Sequence, residues 1–332
     1  MGRKARKAVS LSESNRDLLP TARRLFGTLA GTLAGLGDAE LRPLDRGLSA
    51  DLFTVHPEPS AAPAAVVKLQ RGFAGKVWAE AGALAFLADK EIPDVPRPLL
   101  AEPKHDPPAL VLSWVGDAHA ARVELDRLDE PALTEFAHAF GRWLAVLHHL
   151  EVPAGDVKMS SDPLALPDRL LTQAENALKR FERDFGEREP DLLDLLERGL
   201  RWLDAHAASL LPGDTPRRMI HRDLRAPNVL ADADHRFCGV VDFEHAAAAH
   251  PAWDFAKLRW WWFDRLPALE APFRQGYESK RAWPDRDVRR LFRIFEATTL
   301  VAYFWERHPV YPGQARLQLA AELDDEPRPR WR

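Results

Sequence analysis

The sequence has little of the chemistry that marks secreted or zinc-binding proteins. Its 332 residues include one cysteine, Cys238. A single cysteine excludes an internal disulfide framework and a zinc site built from several cysteines. This use of cysteine suits a reducing compartment, so we expect a cytoplasmic protein.

Long apolar runs and a strong charge of one sign are also missing. No stretch has the uninterrupted apolar length of a membrane-spanning helix. Residues 8–11 are too short and too polar to form the apolar region of a signal peptide. The 46 Lys+Arg against 50 Asp+Glu give a formal charge of -4, which offers no global basic field. We therefore expect neither a membrane nor a nucleic acid as partner.

What the chain does have is enough apolar material for two domains or lobes. Its hydrophobic content is 46%, and a chain of this length can bury a large core. Periodicity of the apolar residues predicts both helices and strands. The predicted helices cover residues 18–36, 76–89, 131–148, 168–185, 190–209 and 286–305. The predicted strands cover residues 41–55 (strand, tight turn, strand), 64–70 and 109–115.

The stretch with the most chemical information is residues 220–230, Ile-His-Arg-Asp-Leu-Arg-Ala-Pro-Asn-Val-Leu, followed by Val-Val-Asp-Phe-Glu at 240–244. It places Asp223, Asn228 and Asp242 on two short elements joined by a turn, so that the three side chains can converge. Phosphoryl transfer needs one group that positions and deprotonates a hydroxyl, and two oxygen ligands for Mg²⁺. On this template Asp223 is the catalytic base, while Asn228 and Asp242 are metal ligands. Singly, each residue has an ordinary alternative as a turn cap, an Asx-turn or a strand end.

In the first half of the chain, four residues fit a phosphate-binding region. Gly47 and Ser49 lie at the turn of the first hairpin, where a small turn lets backbone N–H groups approach an anion. Lys68 lies on the strand at 64–70, and Glu80 lies beside the apolar stripe of the next helix. A carboxylate near a core-facing stripe needs a cation, and Lys68 is the obvious one. The alternatives are a plain hairpin, an edge-strand lysine and an exposed glutamate.

The apolar strand at 109–115 ends at Gly116, and we place a boundary between lobes there. Residues 1–40 are then an N-terminal extension with a helix, and residues 41–115 are a nucleotide-binding N-lobe. Residues 116–332 are a catalytic and substrate-binding C-lobe.

Together these motifs resemble the aminoglycoside phosphotransferase family, also called the phosphotransferase enzyme family, of the protein-kinase-like superfamily. The resemblance covers about residues 40–305. It rests on His-x-Asp-x-x-x-x-Asn and hydrophobic-Asp-Phe, and on four further pieces. These are Leu-x-x-Gly-x-Ser ending at 49, Val-Val-Lys ending at 68, Ile-Pro-Asp-Val-Pro-Arg-Pro at 92–98, and Trp-Asp-Phe-Ala at 253–256.

The resemblance implies an α+β, two-lobed fold with a small antiparallel-sheet N-lobe, one key helix, and a larger, mainly helical C-lobe. It implies that ATP or GTP and Mg²⁺ are cofactors. Lys68 would bind the α and β phosphates and be held by Glu80, and Asp254 would anchor the catalytic loop. The strand at 109–115 would become the hinge, with main-chain adenine contacts at Ser113, Trp114 and Val115.

Three departures from the family pattern stand out. Ala50 replaces the asparagine that many relatives carry, which weakens a side-chain phosphate contact at the turn. His-Arg-Asp replaces the common His-Gly-Asp, and Arg225 follows two residues after the Asp. We predict that Arg225 approaches the γ-phosphate and acts in catalysis. Asp-Phe-Glu at 242–244 replaces Asp-Phe-Gly, as in many small-molecule phosphotransferases.

Chain length favours a small acceptor over a protein. Eleven residues separate Asp242 from Asp254, too few for the activation segment and peptide platform of a protein kinase. The acceptor is therefore expected to be a hydroxyl of a small molecule, such as an aminoglycoside-like antibiotic, an amino alcohol or a sugar. An acidic hairpin at residues 182–194 is most simply a solvated face, and its second interpretation is a wall for a cationic acceptor. The sequence leaves the oligomeric state open.

Two other functions remain as hypotheses at this point. One is a nucleotide-binding module without catalysis, although every expected polar residue is present. The other is a metal-dependent phosphohydrolase, which leaves Lys68 and Glu80 unexplained. Its metal ligands would be His221, Asp223, Asp242, His245, His250 and Asp254.

Overall fold

A computed structural model describes residues 11–30, 39–44, 50–71, 74–117, 120–125, 128–153, 166–213, 215–308 and 310–324. The chain divides into two compact units. The first consists of Met1–Arg122 and Leu230–His245, and the second of Val123–Val229 and Ala246–Arg332. The segment that carries Asp242 therefore belongs to the first unit. The lobe boundaries at residues 40 and 115 stay predictions.

The first unit is built on a five-stranded sheet in the order β1-β2-β3-β5-β4, with every neighbouring pair antiparallel. Its helices are α1 (Leu11–Ala30) and α2 (Gly75–Asp89). Its strands are β1 (Glu40–Leu44), β2 (Ala50–His56), β3 (Ala65–Gln70), β4 (Pro98–Glu102) and β5 (Ala109–Ser113).

The alternation of side chains along β3 decides where the charged residue points. Val67 and Leu69 belong to a buried cluster with Leu25 and Phe26 of α1. Successive side chains of a strand point to opposite faces, so Lys68 faces the other way, toward α2. A smaller sheet is also part of this unit. Its strands, in the order β6-β8-β9, are β6 (Ala121–Arg122), β8 (Val229–Ala231) and β9 (Phe237–Val240).

The second unit is mainly helical. Its α-helices are α3 (Glu130–Leu147), α4 (Leu166–Phe185), α5 (Pro190–Leu210), α6 (Asp254–Leu258), α7 (Glu270–Glu278), α8 (Arg286–Phe304) and α9 (Tyr311–Leu323). Helix α8 packs against α4, α5, α6 and α9, so its buried aromatic residues lie at the centre of the core. Helices α3 and α7 approach closely because Gly276 has no Cβ, and a Cβ there would lie 1.9 Å from the carbonyl oxygen of His138.

A two-stranded sheet in this unit borders the predicted catalytic stretch. Strand β7 (Arg218–Ile220) pairs antiparallel with β10 (Ala247–Ala249), and Ile220 lies opposite Ala247. A turn of 3-10 helix at Ala226–Asn228 follows and ends at β8. The residues 221–225 therefore form a loop with both of its ends fixed in regular structure.

The predicted elements correspond closely to the observed ones. The helix predicted at 18–36 is confirmed from its first residue to Ala30, although it starts earlier, at Leu11, and residues 31–36 lie outside the described residues. In the aromatic run at residues 260–263, Trp260, Trp262 and Phe263 are buried. In the part of the chain that the structure describes, no helix is long and apolar enough to cross a membrane.

Candidate functional site

In the first unit, Lys68 is the centre of a buried cluster of charges. Its Nζ donates to Glu80 Oε2 at 2.7 Å and to Asp242 Oδ1 at 2.7 Å. Glu244 Oε2 lies 3.5 Å from the same nitrogen. The predicted ion pair between Lys68 and Glu80 is therefore confirmed, while the role of Lys68 in phosphate binding stays a prediction.

The electrostatics of this Lys68 cluster follow from burial and from its excess of negative charge. Burial opposes the charged form of Lys68, yet Glu80, Asp242 and Glu244 together hold its pKa above the ordinary value. Burial also disfavours charged Glu80 and, despite the attraction of Lys68, raises the pKa of that carboxyl to about 7. One lysine thus does not fully compensate the three carboxylates around it.

Glu244 is a member of this cluster that sequence reasoning placed in a motif but gave no role. Its Oε1 accepts from Lys76 Nζ at 2.8 Å, and its Oε2 accepts from Gln70 Nε2 at 3.2 Å. These contacts link the start of α2 and the end of β3 to the segment after β9. The signal in the sequence was the replacement of glycine by glutamate in Asp-Phe-Glu, because a buried carboxylate requires partners.

The same cluster has the donors that a magnesium ion needs. Oxygen atoms of Glu80, Asp242 and Glu244 lie within 4.8 Å of one another. Glu80 Oε1 is buried and has no hydrogen-bond partner. Oxygen-only donors of negative charge suit Mg²⁺, so the residues present fit this metal. Asp242 itself has a positive φ of 69°, a conformation that aspartate tolerates better than most residues.

The other predicted nucleotide contacts are described only in part. Gly47 and Ser49 lie outside the described residues. At the predicted hinge, the N–H of Ser113 donates to Arg97 O at 2.9 Å, and that of Trp114 donates to Ala64 O at 3.0 Å. Both N–H groups are therefore used within the sheet. The adenine contacts of Ser113, Trp114 and Val115 stay predictions.

In the second unit, the carboxylate of Asp223 is surrounded by donors. Arg225 contacts it along one edge of its guanidinium, with Nε to Oδ1 at 2.9 Å and Nη2 to Oδ2 at 2.8 Å. Lys257 Nζ donates to Oδ1 at 2.9 Å, and Asn228 Nδ2 donates to Oδ2 at 2.9 Å. The structure thus brings three of the predicted site residues together and places Arg225 on the predicted base.

This environment keeps Asp223 ionised. Burial would raise its pKa, but the charges and hydrogen bonds of Lys257 and Arg225 outweigh burial and hold the pKa well below the usual range. A carboxylate with a low pKa is a weak base. It therefore orients a hydroxyl group by accepting its hydrogen bond more readily than it removes the proton. The nitrogen of the Asn228 amide is committed to Asp223, so the amide oxygen is the atom that a metal would use.

Lys257 is a residue of the site that the sequence analysis missed. It lies on α6, three positions after Asp254, and residues three apart share one face of a helix. A lysine three residues after the predicted loop anchor was therefore the signal that it points toward the same loop.

Asp254 fixes the backbone of the catalytic loop, as the family resemblance implied. Its carboxylate accepts from the N–H groups of His221 at 2.9 Å and Arg222 at 2.5 Å. His148 Nε2 lies 3.0 Å from the same carboxylate, and Tyr277 Oη lies 2.9 Å from His148 Nδ1. The loop anchor is thus held in turn by two fully buried side chains.

The arginine of His-Arg-Asp occupies a backbone conformation that favours glycine. Arg222 has a φ of 65°, which explains why glycine suits this position in the common family motif. Its guanidinium carbon lies 4.1 Å from the ring centroid of Trp253, a cation-π distance. Packing against Trp253 is the contact that the arginine gains at this position.

The histidines do not form the metal site that a phosphohydrolase would need. Among the described residues, the acidic group around Glu80 is the set close enough to share an ion, and no histidine belongs to it. His250 Nδ1 accepts from Ala252 N at 3.1 Å and caps the 3-10 turn Pro251–Trp253. The structure therefore gives the hydrolase hypothesis no support.

Solved structures share the fold at low sequence identity. The streptomycin-ATP ternary complex of APH(2")-IIa has a TM-score of 0.61 and 16% identity, with 91% of this chain and 95% of that chain covered. The GDP and kanamycin complex of APH(2")-IIia has a TM-score of 0.62 and 17% identity, with 91% and 99% covered. Macrolide 2'-phosphotransferase MphH from Brachybacterium faecium, as apoenzyme, has a TM-score of 0.58 and 20% identity, with 93% and 100% covered. At sequence identities this low, the structural similarity shows only a shared kinase-like fold, with a small antiparallel-sheet lobe and a helical lobe.

A comparison with curated protein sequences found no match. The model of the phosphotransferase enzyme family matches residues 40–292, which include the Lys68 cluster, the Asp223 loop and Asp254. The matched region is well over half of the chain, and it carries the motifs whose side chains the structure brings together. The chain therefore belongs to the phosphotransferase enzyme family.

Proposed function

We propose that this protein transfers the γ-phosphate of ATP or GTP to a hydroxyl of a small molecule, with Mg²⁺ as cofactor. The observation that carries the proposal is the position of Lys68 Nζ, 2.7 Å from both Glu80 and Asp242. A lysine held by a helix carboxylate beside a metal-ligating aspartate is the arrangement that a protein-kinase-like enzyme uses to orient nucleotide phosphates. A metal-dependent phosphohydrolase does not require this contact.

The nucleotide belongs to the first unit in this proposal. Lys68 binds the α and β phosphates, and the main chain of residues 113–115 contacts the base. Related folds with bound ATP, ADP and GDP support a nucleotide ligand. Asp242 and the amide oxygen of Asn228 would hold Mg²⁺, which neutralises phosphate charge when it is bound.

The acceptor belongs to the catalytic loop of the second unit. One donor now on Asp223, either Lys257 or Arg225, gives way so that the carboxylate accepts the acceptor hydroxyl. The acceptor oxygen bonds to the γ-phosphorus as the bond from that phosphorus to the bridging oxygen breaks, and the nucleoside diphosphate leaves. The hydroxyl proton passes to Asp223. Because this carboxylate is a weak base, the proton moves late, and positioning dominates catalysis.

The cations around Asp223 have a second task. A transferring phosphoryl group spreads negative charge over three oxygens, and fixed cations stabilise that charge. Arg225 and Lys257 lie at hydrogen-bond distance from the predicted base, so either one needs only a side-chain rotation to leave it. We assign Arg225 to the γ-phosphate, as the sequence predicts, and Lys257 to the same charge.

The test is nucleoside diphosphate release with Mg²⁺ across a panel of aminoglycosides, macrolides, amino alcohols and sugars. Wild type is compared with Asp223→Asn and with Asp234→Asn, a matched change at an exposed aspartate. Acceptor-stimulated release in wild type and Asp234→Asn, but not in Asp223→Asn, is the expected result. Nucleotide binding without stimulation by any acceptor would favour the non-catalytic module, and the absence of nucleotide binding would refute the proposal.

A further inference from the structure

Arg225 connects the proposed base with a group of aromatic side chains. While its Nε and Nη2 contact Asp223, its Nη1 donates to the hydroxyl of Tyr311 at 3.3 Å. Tyr311 begins α9, and no motif of the catalytic loop predicts its presence there. Arg225 therefore links Tyr311 directly to the carboxylate that would receive the acceptor.

Tyr311 is the centre of what we name the aromatic cluster, formed by Trp261, Phe304, His308 and Tyr311. The His308 ring stacks on Tyr311 with centroids 3.6 Å apart. Trp261 meets Tyr311 edge-on at 5.2 Å, and Phe304 does so at 6.5 Å. All four rings are half-buried, whereas the neighbours Trp260 and Trp262 are fully buried. The cluster thus offers partly exposed ring surface beside Arg225.

The origin of these residues suggests a role in acceptor choice. Phe304, His308 and Tyr311 follow residue 292, the end of the family match. The shared motifs lie inside the match and carry the chemistry common to the family. Residues outside the motifs of common chemistry are where binding specificity is free to differ.

The charges near Asp223 disfavour a polycationic acceptor. Two cations, Arg225 and Lys257, contact one carboxylate, so this group carries an excess of positive charge. Aromatic rings attract cations, but Arg225 already supplies the cation next to Tyr311 and repels another. Burial, followed by the charge of Arg225, lowers the pKa of His308 and so disfavours a positive charge on its ring.

Two carboxylates of the acidic hairpin, predicted as a possible wall for cations, have cationic partners. Asp184 accepts from Arg183 at 2.8 Å and lies 3.9 Å from Arg180. Asp194 lies 3.9 Å from Arg201. At the same end of the helix pair, Arg188 pairs with Glu306 at 3.1 Å. These ion pairs reduce the negative charge of the hairpin, and none of them involves the group around Asp223.

We infer that the acceptor is an uncharged or anionic hydroxylated ring compound that packs against the aromatic cluster, rather than a polyamine sugar. This inference rests on the proposed function and deepens it by naming the class of acceptor. The half-buried rings of Trp261 and Tyr311 bind an apolar or planar face of the acceptor. Arg225 and Lys257 turn to the transferred phosphate, as in the proposed function, and they do not repel an acceptor of this class.

The experiment measures acceptor binding directly, by ligand-observed NMR in the presence of Mg²⁺ and a non-hydrolysable ATP analogue. The panel contains uncharged hydroxylated ring compounds, anionic sugar acids, and polyamine sugars including kanamycin. The tightest binders are expected to be uncharged or anionic. Their Kd rises about tenfold in Trp261→Ala and in Tyr311→Ala, as expected when a stacking ring is lost.

Two further variants separate loss of stacking from general damage to the fold. Tyr311→Phe keeps the ring and is expected to leave Kd within about twofold. Trp202→Ala removes another half-buried tryptophan, which stacks on His206 at 4.2 Å, and is expected to leave Kd unchanged. Equal weakening in Trp202→Ala and Trp261→Ala would contradict the inference.

Failure of the inference is distinct from failure of the proposed function. Tighter binding of polyamine sugars, or no binding by any panel member, would overturn the inferred acceptor class. If a polyamine sugar also stimulated Asp223-dependent nucleotide turnover, the phosphotransferase proposal would stand and the acceptor class would be wrong. Absence of nucleotide binding would overturn the phosphotransferase proposal itself.

Discussion

The two units each bury a charge, and they surround it in opposite ways. In the first unit, one lysine, Lys68, is close to three carboxylates. In the second unit, one carboxylate, Asp223, is contacted by two cations. The first cluster has an excess of negative charge that suits a metal ion. The second has an excess of positive charge that suits a phosphoryl group in transfer.

In the proposed function, this difference separates nucleotide binding from phosphoryl transfer. A buried charge that has an excess of oppositely charged partners leaves its cluster with a net charge. A ligand of the opposite sign to that net charge neutralises the cluster. Mg²⁺ would complete the balance around Glu80 and Asp242, and phosphate oxygens would do so around Arg225 and Lys257. Each cluster is thus prepared for a ligand of a different sign.

Replacement of Asp223, the carboxylate at the centre of the second cluster, gives the largest expected effect on kcat. Asp223→Asn keeps the size of the side chain but removes the proton acceptor, so kcat is expected to fall about 1,000-fold. The measurement is the rate of acceptor phosphorylation at saturating nucleotide. Unchanged kcat would show that Asp223 only supports the loop, whereas Asp234→Asn should leave kcat unchanged.

Replacement of Lys68, the lysine at the centre of the first cluster, should lower stability as well as nucleotide affinity. Lys68→Met leaves buried carboxylates without their cation, and we expect a loss of about 3–5 kcal/mol in the free energy of unfolding. The double variant Lys68→Met/Glu80→Gln should recover part of the loss, because one uncompensated charge is removed with the lysine. Urea unfolding of the two single variants and the double variant measures the coupling. If the stability losses of the two single variants simply added in the double variant, Lys68 and Glu80 would not be coupled, which would contradict their ion pair.

Loss of one of two cations around Asp223 should have a smaller effect than loss of Asp223. Lys257→Met is expected to lower kcat about tenfold, because charge stabilisation of the transferred group is reduced while Arg225 remains. KM for nucleotide should change little. Lys179→Met, at an exposed lysine on α4, is the matched control. A larger loss of kcat in Lys257→Met than in Asp223→Asn would contradict the assignment of Asp223 as the base.

The raised pKa of Glu80 predicts a pH dependence of stability. The folded pKa of about 7 lies above the ordinary value of 4.5, so between these values the folded chain keeps a proton that the unfolded chain releases. This group therefore lowers the free energy of unfolding as pH rises from 4.5 to 7, by on the order of 2 kcal/mol.

The variant Glu80→Gln isolates that contribution. His250, whose pKa burial lowers to about 4, makes the folded protein more stable as pH rises through the same window. The difference between Glu80→Gln and wild type cancels this opposing slope. Urea midpoints at pH 5, 6, 7 and 8 are expected to diverge, and parallel curves would show that Glu80 does not hold the proton.

The smallest predicted effect concerns the backbone between the loop and its anchor. Arg222→Gly and Arg222→Ala both remove the contact with Trp253, but glycine relieves the positive φ that alanine retains. Arg222→Gly should therefore be about 1 kcal/mol more stable to urea than Arg222→Ala. Equal stability would show that the positive φ at this residue costs nothing.

Much of the site was predictable because its residues occur in short motifs with fixed spacing. The ion pair of Lys68 with Glu80 followed from the strand, the helix stripe and the need of a buried carboxylate for a cation. The contact of Asp254 with the loop backbone followed from the family motif. Local patterns of this kind determine which residue types meet, since helices and strands impose their periods on the side chains.

The parts that sequence reasoning missed depend on contacts between segments that are distant in the chain. Lys257 reaches Asp223 across 34 positions, and Arg225 reaches Tyr311 across 86. The spacing of Lys257 from Asp254 indicates the direction of its side chain, but no spacing rule predicts the partner atoms, because they depend on how α6 and α9 pack. The partners of Glu244 were missed for the same reason.

The measurement that tests the division of labour most directly is the affinity for MgATP by calorimetry in Lys68→Met and Asp223→Asn. If the first unit binds the nucleotide and Asp223 serves the transfer step, Lys68→Met should raise Kd more than about tenfold, while Asp223→Asn stays within about threefold of wild type. Equal losses of affinity in the two variants, or unchanged affinity in Lys68→Met, would contradict this assignment.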